Sequence, residues 1–329
     1  MDEFLAPRIL IVAGKGGVGK TTAAAALALI AARHGRKVCV AEVDRKGSLA
    51  RLLGGRTHLT YEPAELTPGV WGVNIAPEEA LAEYLEVQYK MKRISRVFTS
   101  THFVDYVATA APGLKDILVL GKVWYLEKNR AAGTRHDFDT IVLDAPAAGH
   151  MLQFLSAPMG LSDAVRVGPI RRQAEWLVEM LQDESRTRVH LVTLPEEMPV
   201  TETLETDAAL RERIGISAGP VLANAVYQPL LSKSETKLFG ELADDGSLDE
   251  LCGEANEVGL RLEHDDLEAL LGYARFRDAR RSIQQKHLKA LKRGVAQPVL
   301  ELPFVFSAGL ALPDVELLAD VIEQQVAAL

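Results

Sequence analysis

Two lysines, Lys15 and Lys20, stand in one glycine-rich stretch, ILIVAGKGGVGKTT, from Ile9 to Thr22. Gly14, Gly19, Lys20 and Thr21 satisfy G-x-x-x-x-G-K-[ST], the Walker A pattern of a phosphate-binding loop. The glycines let consecutive backbone N–H groups turn inward against a phosphate chain, and a helix starting there adds the positive end of its dipole. Gly14, Lys15, Gly16, Gly17, Val18, Gly19, Lys20, Thr21 and Thr22 are therefore expected to line bound ATP. Lys20 would meet the β- and γ-phosphates, and the Thr21 hydroxyl would hold Mg²⁺. The local loop needs one lysine, and spacing alone leaves Lys15 without a task.

Hydrolysis needs more than a cradle, because water must be positioned and the metal oriented. Two apolar runs end in aspartate: AEVDRKGSL places Asp44 after one, and IVLDAPAAGH places Asp144 after another. An aspartate at that point can orient Mg²⁺ through its water shell, and it can also cap a helix or close a turn. Both readings stand from spacing, with Pro146, Gly149 and His150 drawing Asp144 toward the metal.

The elements that must carry these residues follow from periodicity. Short apolar runs at 8–13, 37–43, 70–76, 140–144, 189–194, 221–226 and 299–302 alternate with helical stretches. That alternation predicts an α/β fold with a doubly wound, mostly parallel sheet. An alanine-rich helix follows the loop and can end at Gly35. Residues 77–135, 147–186 and 228–297 exceed an ordinary crossover and read as helical insertions into one domain. Within the last, 241–268 holds eleven acidic residues against Arg261, and 275–293 holds eight basic residues against Asp278. Phe276, Ala279, Ile283 and Leu291 give the basic part an apolar stripe at near-helical spacing. Such a segment can dock an acidic partner or a membrane surface; mutual pairing or plain solvation of the two stretches is preferred.

Composition narrows the classes. A chain of 329 residues, 48% hydrophobic, has ample core for one large α/β domain. A net charge of −8 argues against nucleic acid as the main partner. The start, MDEFLAPR, lacks a signal peptide's basic and apolar parts, and no apolar run is long enough to span a bilayer. A cytoplasmic protein without stable membrane insertion is expected. Two cysteines, Cys39 and Cys252, make no ligand-spaced cluster, which excludes a disulfide framework, structural zinc or an iron–sulfur centre.

The motifs also carry a resemblance that covers nearly the whole chain. GKGGVGKT resembles the deviant Walker A of the SIMIBI class of P-loop NTPases, marked by a lysine directly after the first glycine. DAPAAGHMLQFL is similar to the switch II of the ArsA and Get-type ATPases, which drive arsenite efflux or target tail-anchored membrane proteins. In the family's order follow APGLKDIL, VTLPEEMPVTETLE, ANAVYQ and LPFVFSAGL. The resemblance implies an ATP-hydrolysing dimeric switch, built from two identical subunits or two paralogues, acting on a client protein or a membrane partner. It implies that Lys15 reaches the partner's nucleotide, Asp44 orients the attacking water and Asp144 assists Mg²⁺. It also implies that Asn224 reads the adenine, with the main chain near Pro303 packed against it.

There are departures. Asp44 keeps its place, but Arg45, Lys46 and Gly47 replace the family's usual neighbours, and Pro146 comes one position early in switch II. Ala274 and Arg277 stand where Get-type enzymes carry a zinc-binding cysteine pair, so a zinc clasp is not expected. Met151, Met159 and Met180 are scattered as core fillers would be. An ATPase subunit of an anion or metalloid efflux system and a MinD/ParA-like positioning ATPase are the alternatives. The latter's membrane-bound members end in a basic amphipathic helix. The terminal segment here is acidic, and its stripe of Val315, Leu318, Ile322 and Val326 is expected to pack on the core.

Overall fold

The computed structural model describes residues 1–43, 47–55, 58–89, 113–128, 137–232, 234–235, 237–238 and 248–329. Eight strands form one sheet: β1 (Ile9–Gly14), β2 (Val38–Glu42), β3 (Ala64–Thr67), β4 (Val70–Asn74), β5 (Thr140–Ala147), β6 (Thr187–Thr193), β7 (Val221–Val226) and β8 (Val299–Pro303). Their order across the sheet is β3-β4-β2-β5-β1-β6-β7-β8. All neighbours are parallel except β3 and β4. The chain leaves β1 toward one edge and returns to its other side at β6, so β1 lies at the reversal of strand order, where open α/β sheets leave a crevice at their carboxyl ends.

Helices cover both faces: α1 (Asp2–Leu5), α2 (Lys20–Arg33), α3 (Ser48–Leu52), α4 (Pro77–Tyr89), α5 (Leu114–Lys128), α6 (Ala148–Ala164), α7 (Pro169–Gln182), α8 (Glu197–Ala209), α9 (Leu248–Glu257), α10 (His264–Gly294) and α11 (Leu312–Ala327). Strand pleating divides β1 between two cores. Ile9, Ile11 and Ala13 join the layer of α5, α6, α7 and α8, while Leu10 and Val12 join that of α2 and α11. Because both faces are covered, β1 and β2 are buried at every residue and read as continuous apolar runs. Alanines at 23–26, 28 and 31 leave little side-chain bulk between α2 and the sheet, and Leu27 and Ile30 fill what remains. Burying each of those two contributes about 2 kcal/mol.

Strand ends lie within three residues of the sequence-based bounds, the widest gap being at the end of β5, and β3 was not expected at all. It is a four-residue edge strand, exposed or half-buried throughout, with none of the alternation that marks a half-buried strand. Stretches 77–135, 147–186 and 228–297 contain α4 with α5, α6 with α7, and α9 with α10; 90–112, 129–136 and 239–247 lie outside the described residues.

The basic segment is part of one 31-residue helix, α10, but of the expected apolar stripe Leu291 alone is buried. Phe276 and Ile283 are more than half exposed, and the buried side chains are Leu271, Arg277, Gln284, Leu288 and Leu291. Polar residues took the inward positions because they bond the end of β7 and the residue after it: Gln284 Nε2 donates to Ala225 O at 3.0 Å, and the Tyr227 N–H donates to Gln284 Oε1 at 2.8 Å. Along α11, Val315, Leu318, Ile322 and Val326 are buried as expected.

Candidate nucleotide site

Between β1 and α2 the backbone does what the glycines allow. Gly14 has φ 154°, and a Cβ there would stand 2.1 Å from the carbonyl oxygen of Val192 on β6. Gly17 and Gly19 have φ 83° and 94°. Nothing lies within 4 Å of where a Cβ on Gly16 or Gly17 would be, so the loop presents bare backbone to open space. No side chain caps the start of α2, which leaves its first N–H groups available to an anion.

Parallel register then gathers side chains at the loop. Glu42, Asp144 and Val12 are paired across β2, β5 and β1, which brings both carboxylates to the carboxyl end of the sheet beside the glycines. The Thr21 hydroxyl donates to Asp144 Oδ2 at 2.7 Å, joining the first turn of α2 to the end of β5. Lys20 Nζ donates to the Lys15 carbonyl at 3.0 Å, folding back over its own loop. Gly17, Lys20, Thr21, Glu42, Ser48 and Asp144 line a cavity of about 280 Å³.

That donor set suits Mg²⁺ with a phosphate chain. A hydroxyl and a carboxylate are hard oxygen ligands, and Mg²⁺ takes the rest of its shell from phosphate and water. Among the described residues no group of three or more His, Cys, Asp or Glu could hold a metal ion.

The other expected residues are distributed around this cavity. Thr22 is buried on α2. Asn224, near the end of β7, donates from Nδ2 to the Val18 carbonyl at 2.9 Å, and it fills the space where a Cβ on Gly19 would go. Ala225 follows with φ 55°, a left-handed conformation whose carbonyl accepts from Gln284 Nε2, while the Tyr227 N–H donates to Gln284 Oε1. Pro303 ends β8 opposite Val226, beside the same turn. Lys15 stands apart from the cavity, its Nζ 3.1 Å from Glu202 Oε2 on α8, both side chains partly exposed. Asp44, with Arg45 and Lys46, lies outside the described residues.

Three neighbours escaped the sequence reading. Glu42 is 5% exposed and accepts the Gly47 N–H at 3.2 Å; its signal was a lone carboxylate inside the apolar run VCVAEV. Ser48 opens α3, and Glu202 lies in the VTETLE run. Nothing local could have paired Glu202 with a lysine so far away in the chain.

Relatives agree with this geometry. A family model described as anion-transporting ATPase, the ArsA type, matches residues 7–175. ATPase BagA of Mycobacterium tuberculosis is 34% identical over 330 residues, covering 97% of this chain and 93% of that protein. The arsenical pump-driving ATPase of Acidiphilium multivorum is 26% identical over 67% of this chain and 40% of its own length. A putative arsenical pump-driving ATPase of Halobacterium salinarum is 27% identical over 66% and 35%. With a glycine loop, an alanine helix and two strand-end carboxylates at the switch point of a parallel sheet, and with these relatives along its length, the chain belongs to the ArsA-type ATPase family.

Proposed function

We propose that the protein hydrolyses ATP with Mg²⁺ as a two-subunit switch, moving between open and closed pairings to act on a client protein or membrane partner. The observation that carries this reading is the Thr21–Asp144 hydrogen bond at the mouth of the glycine loop, 2.7 Å long. It brings a hydroxyl and a carboxylate together where a phosphate-bound cation needs them.

In this reading the N–H groups of Gly16, Gly17 and Gly19 bind the phosphates. Lys20 gives up the Lys15 carbonyl for the β- and γ-oxygens, and Thr21 with Asp144 holds Mg²⁺, which draws charge from the transferring phosphoryl group when bound. Glu42 faces the same cavity and keeps Gly47, the residue after the Asp44–Lys46 stretch, tied to β2. Asp44 orients the attacking water and accepts its proton. Asn224 and the backbone near Pro303 hold the base. Lys15 leaves Glu202 and meets the phosphates of the facing subunit, coupling nucleotide to closure. The partner subunit is a second copy or a paralogue.

A cytoplasmic location accords with the finding that no described helix is long and apolar enough to cross a membrane. The buried apolar face of α11 counts against a terminal lipid-binding helix. Relatives that drive arsenical pumps raise the alternative of metalloid efflux. Cys39 argues against thiolate capture by this chain, because it is wholly buried in β2 and burial pushes its thiol up to about 12.

The test compares Lys20→Ala with Lys15→Ala. Isothermal titration with ATP and Mg²⁺ should show Lys20→Ala losing at least about 100-fold in affinity, since charge-assisted contacts to the phosphates vanish. Lys15→Ala should bind ATP as the parent does, yet lose nucleotide-dependent association and most turnover. A Lys15→Ala protein that hydrolyses at the parent rate with its proper partner present would end the two-subunit mechanism.

A further inference from the structure

A second cavity, of about 430 Å³, opens between α10 and the loop after β7. Its walls are largely apolar, with Leu230, Leu231 and Leu271 among them, and Arg277 and Arg281 line it together. Four residues apart on a helix, the two arginines share one face.

Arg277 is nine-tenths buried. It is held by cation–π contacts, its guanidinium carbon 4.7 Å from the Phe306 ring centre and 5.1 Å from that of Tyr227, and by one hydrogen bond to Gln228 O at 3.2 Å. Its Nε is buried without a hydrogen-bond partner, and so is the Nε of Arg281. No carboxylate pairs with either guanidinium among the described residues. A lysine or histidine so placed could shed its proton, but a guanidinium stays charged. A buried charge with unfilled donors is costly unless something completes it.

The surroundings define what would complete it. Asp278 lines the same cavity and is exposed, while Arg275, also on the wall, has other contacts. Three guanidiniums against one aspartate leave the wall positively charged beside an apolar chamber. The volume falls in the range of about 300–1,000 Å³ typical of small-molecule sites.

We propose that this cavity binds an organic carboxylate, its head held by the forks of Arg277 and Arg281 and its apolar body lying along Leu230, Leu231 and Leu271. The assignment stands apart from the nucleotide site, because the two cavities share no lining residue.

Octanoate is the probe, titrated calorimetrically into the full chain with and without saturating ADP and Mg²⁺. Binding of one octanoate per chain is expected in both conditions, with octanol at least about tenfold weaker, as the loss of charge-assisted hydrogen bonds requires. Arg277→Gln with Arg281→Gln should lower octanoate affinity by about tenfold or more. Because Arg277 also packs on aromatic rings, the decisive variant is Arg281→Gln, whose side chain makes no hydrogen bond or ion pair among the described residues. It should keep the parent melting temperature and weaken octanoate by at least about threefold. The site is lost if octanoate fails to bind, if octanol binds as tightly, or if Arg281→Gln binds octanoate unchanged.

Discussion

Beside the glycine loop, Lys15, Lys20, Thr21 and Glu42 each rest on a partner in their own chain; beside α10, Arg277 and Arg281 lack any carboxylate among the described residues. Both regions sit at the carboxyl edge of the sheet and both carry positive charge. The first is held by contacts of its own, to backbone groups and between side chains that strand register brings together. The second holds its charge by ring faces and leaves guanidinium donors over. A preformed site pays little reorganisation on binding. A site with spare donors instead gains hydrogen bonds that the fold itself does not supply.

The largest way to break this contrast is to attack the backbone of the first region. Gly14→Ala would drive a Cβ to 2.1 Å from the Val192 carbonyl, at a φ that side chains rarely adopt. We expect a loss of more than about 4 kcal/mol of unfolding free energy, or no folded protein, in urea denaturation. A variant with parent stability would mean that β1 and β6 do not approach so closely.

Next is a buried polar group that meets the problem of Arg277 by the opposite route. His190, fully buried on β6, bonds Pro220 O at 3.1 Å through Nδ1, and its Nε2 has no hydrogen-bond partner among the described residues. Burial lowers its pKa from 6.5 to about 4, so it stays neutral. Between those values the unfolded chain takes up a proton that the folded chain refuses. Its contribution is therefore whole above pH 6.5 and is lost as pH falls toward 4, in total on the order of 3 kcal/mol. Unfolding measured at pH 7.5 and 5 should show parent stability dropping by about 2 kcal/mol more than that of His190→Leu. Equal drops would mean that His190 is protonated in the fold.

The smallest effect sharpens the comparison from the satisfied side. Lys15 and Glu202 are 40% and 30% exposed, so their ion pair is worth less than about 1 kcal/mol. Glu202→Gln should shift the melting midpoint negligibly. If Lys15 has to leave that partner for a facing subunit, the variant should still raise nucleotide-dependent association by up to about fivefold, the same energy read as a population. Weaker association would give Glu202 a direct part in the interface.

Legibility followed sequence distance and burial. The loop, its helix and Asp144 could be read because glycine positions, alanine content and an apolar run ending in aspartate are local signals. The seven longer strands could be read because their apolar runs are buried, continuously in β1 and β2 and at alternate residues in β8. Strand β3 could not, being short and solvent-facing. Lys15–Glu202 could not, because only the packing of α8 against β6, the strand next to β1, makes the pair. The inner face of α10 was misread because amphipathic patterning assigns arginine and glutamine outward, whereas Arg277 and Gln284 are buried there by hydrogen bonds and ring contacts.

The hydrogen bond from Asn224 to the Val18 carbonyl has a thermodynamic consequence. It ties the end of β7, where a base would be read, to the loop that would grip phosphate. Binding free energies joined by such a link must be reciprocal: a base that strengthens the link tightens the phosphate grip by some factor, and the phosphates return the same factor to the base. Adenosine and inorganic pyrophosphate, offered as separate pieces, would then bind cooperatively. A nucleotide whose base breaks the link would forfeit that coupling even with its phosphates unchanged.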